Sequence, residues 1–167
     1  MKAPKIFVTV GTTQFDELVS VIDSKQFQTM AHEIFATREI VVQIGKGAIE
    51  PISRCEKIKV TSYRLKPDIK EDMTSADMII THCGAGSVTE AMKTGKPTVA
   101  VVNNSLMDNH QTELAQALVE AGPFIFAIDC PTNLVSKLPL LHWDDLKKFM
   151  APDLRLFARE IKKYIST

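Results

Sequence analysis

The densest chemistry in the chain lies in His82-Cys83-Gly84-Ala85-Gly86-Ser87 and, three residues on, Glu90. A strand-like run, Met78-Ile79-Ile80-Thr81, leads into this segment, and helical spacing leaves it at about Ser87. Such a turn suits an anion. Glycines let backbone N–H groups approach phosphate oxygens, and a helix start adds its positive dipole end. Ser87 reads as both N-cap and hydroxyl donor, and His82 as a donor to a diphosphate oxygen. Glu90, one turn into the helix, reads as an acceptor for ribose hydroxyls. The same residues also fit a plain tight turn over Gly84-Ala85-Gly86 with a Ser87…Glu90 capping box. A lone G-x-G is weak, whereas His, G-x-G-S and Glu together at a strand-to-helix junction point to a bound diphosphate.

Two further polar turns follow strand-like runs. Gly11-Thr12-Thr13-Gln14 can form a second anion nest or a structural turn. Asn103-Asn104-Ser105 leads to Asp108-Asn109-His110-Gln111, where the amides of Asn109 and Gln111 can read sugar hydroxyls. Equally, that stretch is a solvated loop with Asp108 or Asn109 as a helix cap. His32 and His142 lack partners at useful spacing and read as surface or satisfied residues. Arg54, Lys57 and Lys59 read as a solvated charge cluster.

The elements that must hold these turns are legible in the hydrophobic pattern. Strand-like runs are Ile6–Val10, Ile40–Ile44, Lys57–Thr61, Met78–Thr81, Thr98–Val102 and Phe124–Ile128. Most are continuous and β-branched, as in strands covered on both faces of a parallel sheet. Helical spacing occupies Phe15–Ile22, Phe27–Phe35, Lys70–Ala76, Ser87–Lys93 and His110–Ala121. The alternation predicts a single α/β domain with a doubly wound, Rossmann-like parallel sheet, whose ligands bind beyond the strands' carboxyl ends. The segment 153–165 predicts an amphipathic C-terminal helix with Leu154, Phe157, Ile161 and Tyr164 on one face. It either packs on its own domain or docks on a partner.

Composition narrows the function. The chain has 167 residues, 45% of them apolar, with 20 basic and 20 acidic side chains. That balance argues against a dedicated nucleic-acid binder. Three widely spaced cysteines with no CxxC pair argue against a disulfide framework or structural zinc, and suggest a reducing compartment. No stretch reads as a signal peptide or a membrane span, so a soluble, cytosolic protein is expected.

The run from Thr81 to Ala91, then Gly95-Lys96-Pro97, then Asp108–Gln111 with Glu113-Leu114-Ala115, resembles the donor-binding domain of GT-B glycosyltransferases. With Val10-Gly11-Thr12-Thr13 and Phe15-Asp16, the set is most similar to the glycosyltransferase family 28 C-terminal domain, up to about Ala127. Within that family it is similar to the separate donor-binding subunits of dolichol-linked UDP-GlcNAc transferases.

The resemblance implies roles. His82 with Gly84, Ala85, Gly86 and Ser87 would hold the diphosphate of UDP-GlcNAc, with Gly11, Thr12 and Thr13 close by. Glu90 would bind the ribose, and Gln111, with Asn109 and His110, the GlcNAc. The turn at Tyr63-Arg64-Leu65 would meet the uracil, largely through backbone. The implied reaction is inverting transfer of GlcNAc to GlcNAc-diphosphate-dolichol, the second sugar of the lipid-linked oligosaccharide. A membrane-anchored partner would bind the acceptor at the cytosolic face of the endoplasmic reticulum. It would also be a source of the general base, for which His110 is the candidate in this chain.

No DxD-type acidic pair follows a site strand, so no cofactor and no essential metal are expected. The rival expectations are a UDP-sugar-binding regulatory module without catalysis and a dinucleotide-binding dehydrogenase. The latter ranks last because Gly-Thr-Thr stands where G-x-G-x-x-G would be.

Overall fold

The computed structural model describes residues 4–103, 110–121 and 125–145. Strands β1 (Lys5–Thr9), β2 (Glu39–Gln43), β3 (Lys59–Tyr63), β4 (Met78–His82), β5 (Thr98–Val101) and β6 (Phe126–Ile128) form one sheet. Their order is β3-β2-β1-β4-β5-β6, and every pair is parallel. Helices α1 (Asp16–Asp23), α2 (Lys25–Phe35), α3 (Lys70–Ser75), α4 (Ala85–Lys93), α5 (His110–Ala121) and α6 (Leu134–Lys137) complete the doubly wound α/β fold.

Alternation along the strands explains the two layers. Ile6, Val8 and Val10 share a core with Leu18, Val19, Ile22 and Phe27 of α1 and α2. Phe7, Val41 and Ile79 point the other way, against Met73, Ala76 and Ala91. Central strands buried on both faces read as unbroken apolar runs because no face meets water. Edge strand β3 does not; it reads exposed, intermediate, exposed, exposed, intermediate. Its predicted span of Lys57–Thr61 therefore lies two residues early. Ile58 N–H turns back to the Cys55 carbonyl at 3.0 Å, which delays pairing until Lys59.

Helix α2 begins earlier than its apolar pattern suggests. Ser24 caps it, its Oγ accepting from the Phe27 N–H at 3.1 Å, and Ala36 ends it in the left-handed region. Residues 44–58 cross from β2 to β3 without helix or strand. A crossover that long needs internal support, and Gln28 supplies it. Fully buried, it donates Nε2 to the Ile22 and Ile52 carbonyls, while its Oε1 accepts from the Arg54 and Cys55 N–H groups. Arg54 also pairs with Asp23 at 2.7 Å.

Beyond β6 the chain forms short turns around α6, where Trp143 packs edge-on against Phe35 and Phe126. The predicted helix 153–165 lies outside the described residues. Among the described residues no helix is long and apolar enough to cross a membrane.

Candidate functional site

Parallel sheets place ligands where strand order reverses, beyond the carboxyl ends. Here the reversal is at β1 and β4, whose following turns are Gly11–Gln14 and Cys83-Gly84. Between them lies a cleft of about 420 Å³, within the usual size for small-ligand sites. Gly11, Thr12, Thr13, His82, Gly84, Ala85, Gly86, Ser87 and Glu90 all line it. The polar turns after β1 and β4 thus form one wall, as their sequence positions implied.

The helix start differs in detail. α4 begins at Ala85, and Gly84 is its N-cap, with no side-chain hydrogen bond. The first helical bond runs from Val88 N–H to the Gly84 carbonyl at 2.9 Å. Ser87 is therefore not the N-cap, and no Ser87…Glu90 capping box forms: Ser87 sits inside the first turn with its hydroxyl at the cleft. The N–H groups of Ala85, Gly86 and Ser87 precede the first helical bond and are left without an intrahelical acceptor at the cleft wall. That arrangement, with the dipole's positive end, suits an anion.

His82 occupies the middle of this wall, only 7% exposed. Its ring is wedged between the two turns. A Cβ at Gly11 would come within 2.8 Å of His82 Cε1, and one at Gly84 would collide with Nε2. Gly11 also has φ +64, in the left-handed region. Gly11 and Gly84 therefore make room for the imidazole as well as bringing backbone toward a ligand, whereas a Cβ at Gly86 would meet nothing within 4 Å.

Burial pushes the His82 pKa below its ordinary value, against an opposing pull from the Thr9 carbonyl. The ring is neutral at pH 7. Its Nδ1 is buried with no hydrogen bond of good geometry. Its Nε2 edge lies beside Gly84.

The cleft frame is tied across strands. Lys46 N–H donates to the Thr13 carbonyl at 2.9 Å, and Asn103 Nδ2 donates to the Gln14 carbonyl at 3.5 Å. Gln111 is engaged at the end of β5, where its Oε1 accepts from the Asn103 N–H at 2.9 Å. This leaves Nε2 as the amide's donor. Gln111 is not in the cleft wall itself. Asn109 and the side chain of His110 lie outside the described residues. Cys83, next to His82, is buried, its thiol pushed up to about 12, so it is not a nucleophile.

Tyr63 and Arg64 do not line the cleft. The Tyr63 hydroxyl donates to Asp72 at 2.6 Å, and Arg64 reaches the Gly47 carbonyl and Glu50. Their own carbonyls accept from Ile44 and Gly45 N–H groups, which extends the β2–β3 ladder past Gln43. Lys66, Pro67, Asp68 and Ile69 line the cleft instead, residues that the sequence pattern did not single out. Lys66 is held by Asp72 at 2.8 Å and by the Tyr63 ring, 4.0 Å from its Nζ. Burial works to raise the Asp72 carboxyl, but hydrogen bonds from Lys66 and Tyr63 and the nearby lysine charges outweigh it and hold the pKa below the ordinary value. Gln43 was also missed. The available signal was a lone amide inside the apolar run Ile40–Ile44, just before Gly45.

Two other cavities flank this region. One of about 300 Å³ adjoins the cleft at Asp68 and Glu90. Another, about 410 Å³, lies between α5 and β6 with mainly apolar walls such as Val102, Ala115 and Ile128. It gathers no set of donors comparable to the α4 start.

The sequence profile of the glycosyltransferase family 28 C-terminal domain matches residues 5–164. The chain belongs to that family. The match runs past Ala127, where the motif resemblance faded, into the turns around α6. A mouse UDP-N-acetylglucosamine transferase subunit ALG13 is 41% identical over 143 residues, covering 82% of this chain. The chain spans only 12% of that mouse protein's length. The protein of the same name from Yarrowia lipolytica is 33% identical, covering 96% of this chain and 84% of its own. A UDP-N-acetylglucosamine--N-acetylmuramyl-(pentapeptide) pyrophosphoryl-undecaprenol N-acetylglucosamine transferase from Cytophaga hutchinsonii is 31% identical, covering 72% of this chain and 34% of its own.

Among solved structures, the solution structure of ALG13 superposes with TM-score 0.75 at 22% identity, covering 99% of this chain and 98% of its own. Acinetobacter baumannii MurG gives TM-score 0.60 at 19% identity, covering 87% of this chain and 43% of its own. These two likenesses establish the fold: the Rossmann-like half of a GT-B architecture.

Proposed function

We propose that this family 28 domain is the donor-binding subunit of a two-subunit transferase moving GlcNAc from UDP-GlcNAc to GlcNAc-diphosphate-dolichol. The observation that carries the reading is the uncapped start of α4 beside neutral His82, with Glu90 further along the same helix and cleft. Relatives from mouse and yeast are named UDP-N-acetylglucosamine transferase subunits, and a bacterial one acts on a pyrophosphoryl-polyprenol. The common elements are the donor and, in the bacterial name, a lipid diphosphate.

In the proposed reaction the acceptor hydroxyl oxygen bonds to the anomeric carbon as the bond from that carbon to the diphosphate oxygen breaks, with inversion. The departing electron pair stays on UDP. N–H groups of Ala85, Gly86 and Ser87, the α4 dipole and the His82 ring stabilise that charge where it grows. Glu90 accepts from the ribose hydroxyls. Gln111 Nε2, with Asn109 and His110, serves the sugar. The acceptor proton passes to a base that the partner or His110 provides. The transfer needs no essential metal in this scheme, because backbone dipoles do the work of a cation.

The partner is a membrane-anchored, acceptor-binding subunit, and it recruits this chain to the cytosolic face of the endoplasmic reticulum. Calorimetry on the full chain should show UDP-GlcNAc binding, and co-expression with the partner should give transfer that survives EDTA. Nucleotide binding without transfer in the complex would instead mark a regulatory module. Absence of UDP binding to both chain and complex would overturn the donor reading.

A further inference from the structure

Gln43 closes β2 directly opposite Thr9 of β1 in the parallel register. Both are buried, Gln43 at 3% exposure and Thr9 at 0%. Their hydrogen bonds run in one direction. The Gly11 N–H donates to Thr9 Oγ1 at 3.0 Å, and Thr9 Oγ1–H donates to Gln43 Oε1 at 2.5 Å. Thr9 Oγ1 thus accepts from Gly11 and gives its own proton to the amide oxygen of Gln43. The carbonyl turns to Thr9, and the NH₂ turns away. Gln43 lines the cleft, and with its carbonyl bonded to Thr9 its donor end is the one available to a ligand.

A buried amide normally satisfies both its ends, as Gln28 does with four backbone partners. Gln43 has its acceptor end satisfied by Thr9, and it lines the cleft at the start of α4. We propose that Gln43 Nε2 donates a hydrogen bond to a phosphate oxygen of the nucleoside diphosphate, making it a ligand-contacting residue oriented by Thr9. This rests on the reading that a nucleoside diphosphate occupies the cleft. The oxygen it meets carries negative charge, so the bond is charge-assisted and stronger than a neutral one.

Gln43→Glu separates this role from a structural one. The carboxylate still accepts from Thr9 but presents an oxygen, not a donor, to the phosphate. In calorimetry on the full chain at about pH 8, the variant should bind UDP about tenfold more weakly or worse, with a smaller loss for UMP and none for uridine. Lowering the pH to about 5 should narrow the gap to wild type, since burial and the facing phosphate raise the new carboxyl's pKa and, once protonated, it donates again. In the wild-type protein, the Gln43 side-chain amide resonances should shift on adding UDP and stay put on adding uridine. This measurement does not depend on the variant folding. Equal UDP affinity in a folded variant, equal losses for UDP and uridine, or unmoved Gln43 amide resonances at UDP saturation would each overturn the assignment. If wild type binds no UDP at all, the nucleotide reading itself fails, and this assignment falls with it.

Discussion

Gln28 and Gln43 are both buried glutamines, one behind the sheet and one at its carboxyl edge. Gln28 fixes the long 44–58 crossover, and both ends of its amide are satisfied by backbone. Gln43 is satisfied at one end, and the other faces the cleft. The contrast extends to their surroundings. Around Gln28, polar groups find partners within the chain. Around the cleft that Gln43 lines, no side chain caps the start of α4, and His82 Nδ1 is buried with no hydrogen bond of good geometry. The Gln28 amide holds the fold with both its ends, whereas the Gln43 amide uses only one end for it.

The comparison is broken most forcefully at Gln28. Gln28→Leu would leave two N–H groups and two carbonyls short of a partner, costing about 3–5 kcal/mol in urea denaturation. UDP affinity, measured where the variant is still folded, should stay unchanged. A variant that lost nucleotide binding while keeping its stability would erase the distinction.

Gly84→Ala comes next. The added methyl collides with the His82 ring, so stability should fall by about 1–3 kcal/mol, the range of overpacking. UDP affinity should fall as well, because the ring must leave the cleft wall. Gly86→Ala, where a methyl meets nothing, is the control and should not lower stability.

Glu90→Ala is a smaller and purely functional change. Glu90 is exposed, so the melting temperature should hold while UDP binding weakens by about tenfold, one charge-assisted hydrogen bond. A 2′,3′-dideoxyribose analogue of UDP should bind the variant and wild type alike. If it still discriminates, Glu90 does not read the ribose.

The smallest effect is a pH slope. The folded His82 pKa lies below the ordinary value of 6.5, which the unfolded chain keeps. Above that value both states are neutral and stability is flat with respect to this group. Below it the unfolded chain takes the proton first, so stability falls as pH drops toward the folded pKa. His82→Gln should flatten that part of the curve. An unchanged slope would mean that the imidazole is not the titrating group.

Several of these features were legible along the chain. The β-branched runs ending in glycine identified a parallel α/β sheet, since strands buried on both faces carry apolar residues at every position. The His82–Glu90 segment and Gly11–Thr13 lay at strand ends, which is where such sheets bind ligands. Edge strand β3 was misplaced by two residues because its exposed residues carry no burial pattern. The cap of α4 was misassigned because Ser at a helix start is the usual choice, while here Gly84 takes that place to clear the His82 ring.

Local sequence alone determined the element types and the glycine turn after β4, because propensity, glycine placement and apolar period are properties of neighbours in the chain. Tertiary structure alone decided who shares the cleft. Tyr63 and Arg64 turned away to Asp72, Gly47 and Glu50, while Lys66–Ile69 line the cleft instead. Gln43 entered because the register of β2 on β1 sets it against Thr9. Register and strand order are settled by packing between residues dozens of positions apart, and no pattern confined to one segment contains that information.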